Sequence, residues 1–255
     1  MEKEKVTAAE VSGLLEEMRD EAQRAVLMRF FKTGAGQYGE GDQFLGLKVP
    51  QTRAIVREAK LLVPLDEIAV LVSSPWHEVR LAGFLLLVEE MKAALPKRKD
   101  SAEAADAKAT RRKEIADFYL KWARQANNWD LVDLSCEYVL GPHLLLDCAD
   151  CMPTLLALAR SENLWEQRIA IVSTFHFIRN GIFGPTFAIV DLLMGHGHDL
   201  IHKAMGWMLR EVGKRDKAFL VDYLERNADR LPRTTLRYAI EKFPEPERKA
   251  WLARR

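Results

Sequence analysis

Apolar residues recur at three- and four-residue spacings along almost the whole chain, and runs that alternate apolar and polar residues are nearly absent. That pattern predicts an all-α protein. The first helical stretch starts at Thr7, with Glu10 three residues on as a capping-box partner, and runs to about residue 33 with a break near 19–22. Val49-Pro50 opens a second stretch with proline in its first turn. A short helix follows Pro64, and Ser73-Ser74-Pro75 leads into a longer one over 76–95. Further helices are predicted over 114–125, 129–140, 152–160, 164–179, 186–194, 200–214, 217–227, 234–243 and 245–254. Asn163 is read as a cap, and Gly141-Pro142 and Gly184-Pro185 as breaks.

Three helix openings repeat one design: Trp76-His77-Glu78-Val79-Arg80, Trp129-Asp130-Leu131-Val132-Asp133 and Trp165-Glu166-Gln167-Arg168. Each starts with tryptophan and places a charged residue three or four positions later. Trp129 and Trp165 are 36 residues apart, Ala170 and Ala204 are 34. The 53 residues between Trp76 and Trp129 become regular once about 16 residues of the charged stretch 96–112 are set aside. A period near 36 with two helices per unit is that of a HEAT-like repeat. The expectation is therefore a single domain over 1–255, an α-solenoid whose concave face is lined by helix openings, with 96–112 as a charged insertion.

Composition narrows the function classes only a little. A net charge of +1 gives no global basic excess, but residues 161–255 carry 16 Lys/Arg against 12 Asp/Glu, so the C-terminal part is the basic one. The runs Lys97-Arg98-Lys99 and Arg111-Arg112-Lys113 are read as solvated faces. Apolar runs such as 85–88 are far too short to span a membrane, and Met1-Glu2-Lys3-Glu4-Lys5 does not resemble a signal peptide. The three cysteines are read as reduced thiols of a cytosolic protein, since Cys148-Ala149-Asp150-Cys151 lies in no βαβ context. Gly34, Gly36 and Gly39 match the dinucleotide fingerprint in letters, yet they follow a helix rather than a strand and precede a loop rather than a helix. His196, His198 and His202 invite a metal reading, but Gly-flanked histidines at a helix entry more often cap or face solvent, and no metal is assigned. His176, between Phe175 and Phe177, is read as a core histidine.

The centre of the chain carries the candidate chemistry. Asn128 caps a helix on which Trp129 and Asp133 share one face, and Asp130 suits the positive end of the helix dipole. Alone, such a pair is compatible with a satisfied structural group or with a working charge. Arg168, Lys203, Trp207 and Arg210 stand on later helix openings. A tryptophan on such a helix is more often core than not, and an arginine often bridges neighbouring repeats. Together they form a coherent set: a guanidinium fits phosphate, a carboxylate fits a developing cation, and aromatic faces fit a sugar.

Three segments carry a resemblance: Asn128-Trp129-Asp130-Leu131-Val132-Asp133, Asn163-Leu164-Trp165-Glu166-Gln167-Arg168 and Lys203-Ala204-Met205-Gly206-Trp207-Met208-Leu209-Arg210-Glu211. Arg29-Phe30-Phe31-Lys32 and Phe44-Leu45-Gly46-Leu47-Lys48-Val49-Pro50 extend it toward the N-terminus. With these the chain resembles the AlkD-like DNA glycosylases of the DNA alkylation repair family. The resemblance implies a HEAT-like α-solenoid holding alkylated double-stranded DNA on its concave face. It also implies hydrolysis of the N-glycosidic bond of cationic N3- and N7-alkylpurines, with the lesion left stacked and no metal or organic cofactor. The catalytic aromatics then fall on Trp129 and Trp207, the catalytic carboxylate on Asp133 and the phosphate contact on Arg168, with Lys203 and Arg210 flanking. A monomer in the cytoplasm, associated with the nucleoid when on DNA, completes the expectation. Phe30 stands where some members carry tyrosine, and the 34–42 and 96–112 stretches are longer than usual. Some relatives of this architecture bind DNA, branched forms included, without excision. A non-catalytic binder and a protein-binding HEAT scaffold are therefore the competing readings.

Overall fold

The computed structural model describes residues 5–254, so most of the charged start Met1-Glu2-Lys3-Glu4-Lys5 lies outside the described residues. Two compact units divide the chain, Met1–Val139 and Leu140–Arg255. Among the described residues all regular structure is helical apart from one isolated bridge between Gln43 and Trp76. The fold is all-α, of the helical-repeat kind.

The first unit contains α1 (Ala8–Glu17), α2 (Glu21–Phe30), α3 (Val49–Ala59), α4 (Leu65–Val72), α5 (His77–Ala93), α6 (Ala102–Lys121), a 3-10 turn (Ala123–Gln125) and α7 (Trp129–Asp133). The Thr7 capping box is formed: the Thr7 hydroxyl accepts from the Glu10 amide at 3.3 Å and the Glu10 carboxylate accepts from the Thr7 amide at 2.8 Å. Helix α5 is the spine, buried on every side from His77 to Val88 because α1, α3, α4, α6 and α7 all pack on it.

Helix α6 departs from the sequence reading. The charged stretch from Ala102 onward and most of the helix predicted over 114–125 form one continuous helix ending at Lys121, capped by Ser101, whose hydroxyl accepts from the Ala104 amide at 3.2 Å. Alanine, lysine, arginine and glutamate are strong helix formers, and that composition extends the helix rather than ending it. The run Arg111-Arg112-Lys113 is not simply a solvated face. Arg112 is buried and donates to the Ala94 carbonyl at 2.8 Å, while Arg111 bridges Glu90 and Glu114 at 2.7 and 2.6 Å.

The helix predicted over 129–140 is also split. Helix α7 ends at Asp133 and α8 (Cys136–Leu146) starts anew, because the Ser135 hydroxyl bonds back to the Leu131 carbonyl at 2.5 Å and to the Tyr119 hydroxyl at 2.9 Å. Helix α8 then runs through Gly141-Pro142, which the sequence suggested as a break. Proline removes one amide donor there, but the buried side chains of Val139, Leu140 and Leu144 keep the helix in place.

The second unit continues with α9 (Met152–Ala159), α10 (Leu164–Ser173), α11 (Phe175–Arg179), α12 (Gly184–Leu193), α13 (Asp199–Arg215), α14 (Lys217–Asn227), α15 (Arg233–Ala239) and α16 (Glu245–Ala253). Asn163 caps α10 as predicted, accepting from the Trp165 and Glu166 amides at 3.0 and 3.1 Å. The break between α10 and α11 falls at Thr174, whose hydroxyl donates to the Ile171 carbonyl at 2.7 Å. Helix α13 is the core of this unit and packs on α10, α14 and α15.

Close packing of α13 on α15 depends on Gly206, where a Cβ would lie 2.6 Å from the Thr235 carbonyl oxygen and would collide with the Tyr238 Cβ. Backbone cannot yield as a flexible side chain can. Gly206→Ala is accordingly expected to destabilise the protein by about 1–3 kcal/mol. A lowered thermal unfolding midpoint is the measurement; an unchanged midpoint would contradict this packing.

Candidate active site

The short helix α7 places Trp129 and Asp133 one turn apart on the same face, and both line a cavity of about 470 Å³. Its other walls are mostly apolar, with Phe30, Phe31, Phe44, Leu47 and Leu81 prominent among them, and Lys48, His77, Glu78 and Asp130 complete the lining. Trp129 stacks on Phe31, with ring centres 5.3 Å apart and planes inclined by 24°, while Phe30 meets it edge-on at 5.9 Å. Behind Phe31 the stack continues to Phe44 at 5.1 Å and from Phe44 to the His77 ring at 4.3 Å. Trp129 is thus the half-buried end of a four-ring column, and Phe30 shields it from outside while itself 60% exposed. Asp133, also half-buried, stands at the same cavity.

What fixes α7 in this position is a cluster of buried charge. His77 Nδ1 lies 2.8 Å from Asp42 Oδ2, and its Nε2 lies 2.9 Å from Asp130 Oδ2. Two carboxylates facing the two ring nitrogens require both to be donors, which is the imidazolium form. Burial alone would lower the pKa of His77. Asp130 and then Asp42 more than offset that, and it is pushed up to about 9. Burial likewise raises the Asp42 carboxyl, and His77 and Arg80 override it downward. Arg80 Nη2 donates to Asp42 at 2.5 Å and Nη1 donates to the Ser74 and Pro75 carbonyls at 2.9 and 3.0 Å.

The cluster connects three segments. Asp42 comes from the glycine-rich loop, His77 and Arg80 from the start of α5, and Asp130 from α7. Asn128, the cap of α7, joins them: its Oδ1 accepts from the Trp129 amide at 2.9 Å and its Nδ2 donates to Asp42 at 3.3 Å. Alongside, the Glu78 carboxylate accepts from the Leu45, Gly46 and Leu47 amides at 2.8, 2.8 and 3.0 Å. Gly46, at φ +99° and against the Asp20 carbonyl, lets the backbone make that turn. Within the glycine-rich stretch, Gly39 lies against the Phe31 carbonyl, where a Cβ would not fit, and the stretch ends with Asp42 buried. No sequence pattern above points to this cluster, and Asp130 reads only as a partner of the helix dipole. The signal that the sequence does carry is His77, Glu78 and Arg80 at the opening of an otherwise apolar helix.

The remaining candidates lie in the second unit. Arg168 on α10 is 5% exposed, and its Nη1 donates to the Leu200 carbonyl at 2.5 Å, so it braces the start of α13. Trp207 on α13 is half-buried and meets Phe175 edge-on at 5.7 Å, and the Arg179 guanidinium lies 4.5 Å from the other partner of that contact, the Phe175 ring centre. Lys203, 42% exposed at its side chain, pairs with Asp199 at 2.7 Å. Arg210 is held between Glu241 and Glu211. The histidines also have protein partners. His196 bonds Gln167 at 2.9 Å, His198 Nδ1 caps α13 by accepting from the Leu200 amide at 3.1 Å, and His202 bonds the His196 carbonyl. His176 is half-buried, and burial lowers its pKa.

An all-α helical-repeat protein with a tryptophan and a carboxylate at one cavity is the class that these features outline. A family model described as DNA alkylation repair enzyme matches residues 11–243, and the chain belongs to that family. DNA repair is accordingly its field of action, and DNA its substrate class. Among solved structures, a predicted DNA alkylation repair enzyme from Enterococcus faecalis is similar in fold, with a TM-score of 0.62 and 15% sequence identity, over 89% of this chain and 97% of that one. The curated proteins contain no match to the chain.

The buried cluster makes stability depend on pH. A raised histidine pKa contributes stability that is fully present below the unfolded value near 6.5 and is lost as pH rises through about 9. Chemical unfolding of the protein should show stability falling across that window. His77→Leu should remove this dependence and cost about 3–5 kcal/mol, since it leaves Asp42 and Asp130 buried without their cation. A variant as stable as the parent would contradict the charge assignment.

Proposed function

We propose that this protein is a DNA glycosylase that hydrolyses the N-glycosidic bond of cationic N3- and N7-alkylpurines in duplex DNA. The observation that carries the reading is Trp129 and Asp133 on one face of α7 at a cavity whose walls are otherwise mostly apolar. Family membership supports the same reading from a separate direction.

An N7- or N3-alkylated purine already bears positive charge, so it leaves with the electron pair of the glycosidic bond and needs no general acid. The barrier lies in the oxocarbenium-like sugar. The Asp133 carboxylate is proposed to stabilise that cation and to take a proton from the water that adds to the anomeric carbon. Its apolar surroundings strengthen such an interaction relative to open water. The Trp129 face, backed by Phe31, is proposed to pack against the deoxyribose. Phe30 offers an aromatic surface beside it but no hydroxyl, so this reading asks nothing of a phenol at that position. The lesion is proposed to remain stacked in the duplex rather than to enter a closed pocket.

From the second unit the reading takes Trp207 as the second aromatic and Arg168, Lys203 and Arg210 as contacts to the DNA backbone. Lys203 and Arg210 already have carboxylate partners. For the exposed Lys203–Asp199 pair, exchange for phosphate costs little, typically within about 1 kcal/mol. Arg168 is proposed to reach phosphate while still bracing the Leu200 carbonyl. The protein is proposed to act as a monomer without metal or organic cofactor.

The test is release of 7-methylguanine from methylated duplex DNA, followed by chromatography. The parent protein should release it, and Asp133→Asn should fold and bind DNA normally while release falls on the order of 100- to 1,000-fold. Equal release by the variant would remove Asp133 from the mechanism, and no release by either protein would favour a non-catalytic binder. Binding itself should weaken steeply with salt, and Lys203→Ala should lower the slope of log affinity against log salt by about 1. A salt-independent or absent DNA affinity would instead favour a protein-binding scaffold.

A further inference from the structure

A second reactive constellation lies in the second unit, at the end of α8 and the turn before α9. His143 Nδ1 is 3.1 Å from Asp147 Oδ2, and His143 Nε2 is 3.6 Å from Cys148 Sγ. Asp147 still follows the helical path, since its amide donates to the His143 carbonyl at 2.9 Å, and Cys148 comes directly after it. The His143 and Asp147 side chains are only 13% and 12% exposed, so the pair is shielded, while Cys148 remains accessible in part. Cys151, also part-exposed, follows three residues later, directly before α9.

Roles follow from the hydrogen bonds. Asp147 accepts from His143 Nδ1–H and so selects the tautomer whose Nε2 carries a lone pair. That lone pair faces the Cys148 sulfur and can accept its proton. The resulting imidazolium lies between the thiolate and the Asp147 carboxylate, bonded to both. Cys151 differs. Burial pushes its thiol pKa up, and Asp150 and Cys148 act the same way, so it stays protonated. Cys136 is fully buried and out of reach of solutes.

We infer that Cys148 is a peroxide-reactive thiolate, activated by His143 and Asp147 and resolved by Cys151. In the first step the Cys148 thiolate attacks one oxygen of hydrogen peroxide and the O–O bond breaks. Sulfur is oxidised to sulfenic acid, peroxide is reduced, and the departing hydroxide takes the imidazolium proton to become water. In the second step the Cys151 sulfur attacks the Cys148 sulfur, the S–O bond breaks, and the thiol proton leaves with the hydroxyl as a second water. The product is a Cys148–Cys151 disulfide across the turn between α8 and α9. A pair with this division of labour, one activated thiol beside one resolving thiol, is the arrangement of a redox sensor. It is independent of the glycosylase reading.

The reduced full-length protein is the material for the test, with peptide-level mass spectrometry as the readout. In the parent, iodoacetamide at neutral pH should label Cys148 at least about tenfold faster than Cys151. Limiting hydrogen peroxide should produce the Cys148–Cys151 disulfide. Cys151→Ser should instead accumulate a sulfenic acid at Cys148 that dimedone traps. His143→Gln and Asp147→Asn should each slow the first oxidation, the former at least about tenfold. Equal labelling of Cys148 and Cys151 in the parent, or a parent that stays reduced in peroxide, overturns the inference without recourse to any variant.

Discussion

The site in the first unit depends on one buried cation between two carboxylates. His77 carries its charge in the interior because Asp42 and Asp130 face its two nitrogens at 2.8 and 2.9 Å. With Arg80 on Asp42 the formal charges balance, two negative against two positive. A buried set like this adds little net stability over an apolar core, but each member is costly to remove alone. Its geometric consequence is larger. The set ties the glycine-rich loop, the start of α5 and the start of α7 together, and α7 is only five residues long. A helix of that length has no stability of its own. Its orientation is set by its cap and its first turn, both of which belong to the cluster.

The cavity chemistry follows from that anchoring. Trp129 and Asp133 occupy the first and last positions of α7, so the face they share is fixed once Asn128 and Asp130 are fixed. The aromatic column from Trp129 through Phe31 and Phe44 to His77 joins the same two groups through packing. Charge at one end and an accessible indole at the other are parts of one structure. An enzyme that stabilises a transient cation benefits from such rigidity, because a prearranged carboxylate needs no reorganisation during the reaction.

Much of this was legible in the residues. Helical periodicity predicts nearly every helix, the caps at Thr7 and Asn163 are where capping chemistry puts them, and Trp129 and Asp133 share a face as their spacing requires. The misses have physical causes. The division between α7 and α8 depends on the Ser135 hydroxyl finding both Leu131 and Tyr119, the latter sixteen positions away and outside any local pattern. Helix α8 persists through Pro142 because burial outweighs one lost hydrogen bond. The His77 cluster draws on residues 42, 77, 80, 128 and 130, and long-range ion pairing leaves no periodic signature. Glycine spacing in the 34–42 loop imitates a nucleotide motif, whereas in the fold Gly36 and Gly41 take left-handed backbone and Gly39 packs against the Phe31 carbonyl.

If the cluster acts by orienting α7, then His77 and Asp133 contribute to one function and not to two. The direct measurement is a double-mutant cycle on the rate of 7-methylguanine release, using His77→Gln, Asp133→Asn and the pair, each verified as folded at neutral pH. Coupled action predicts that His77→Gln slows release by itself and that the double variant is no slower than Asp133→Asn alone. Independent losses that multiply in the double variant would contradict the account.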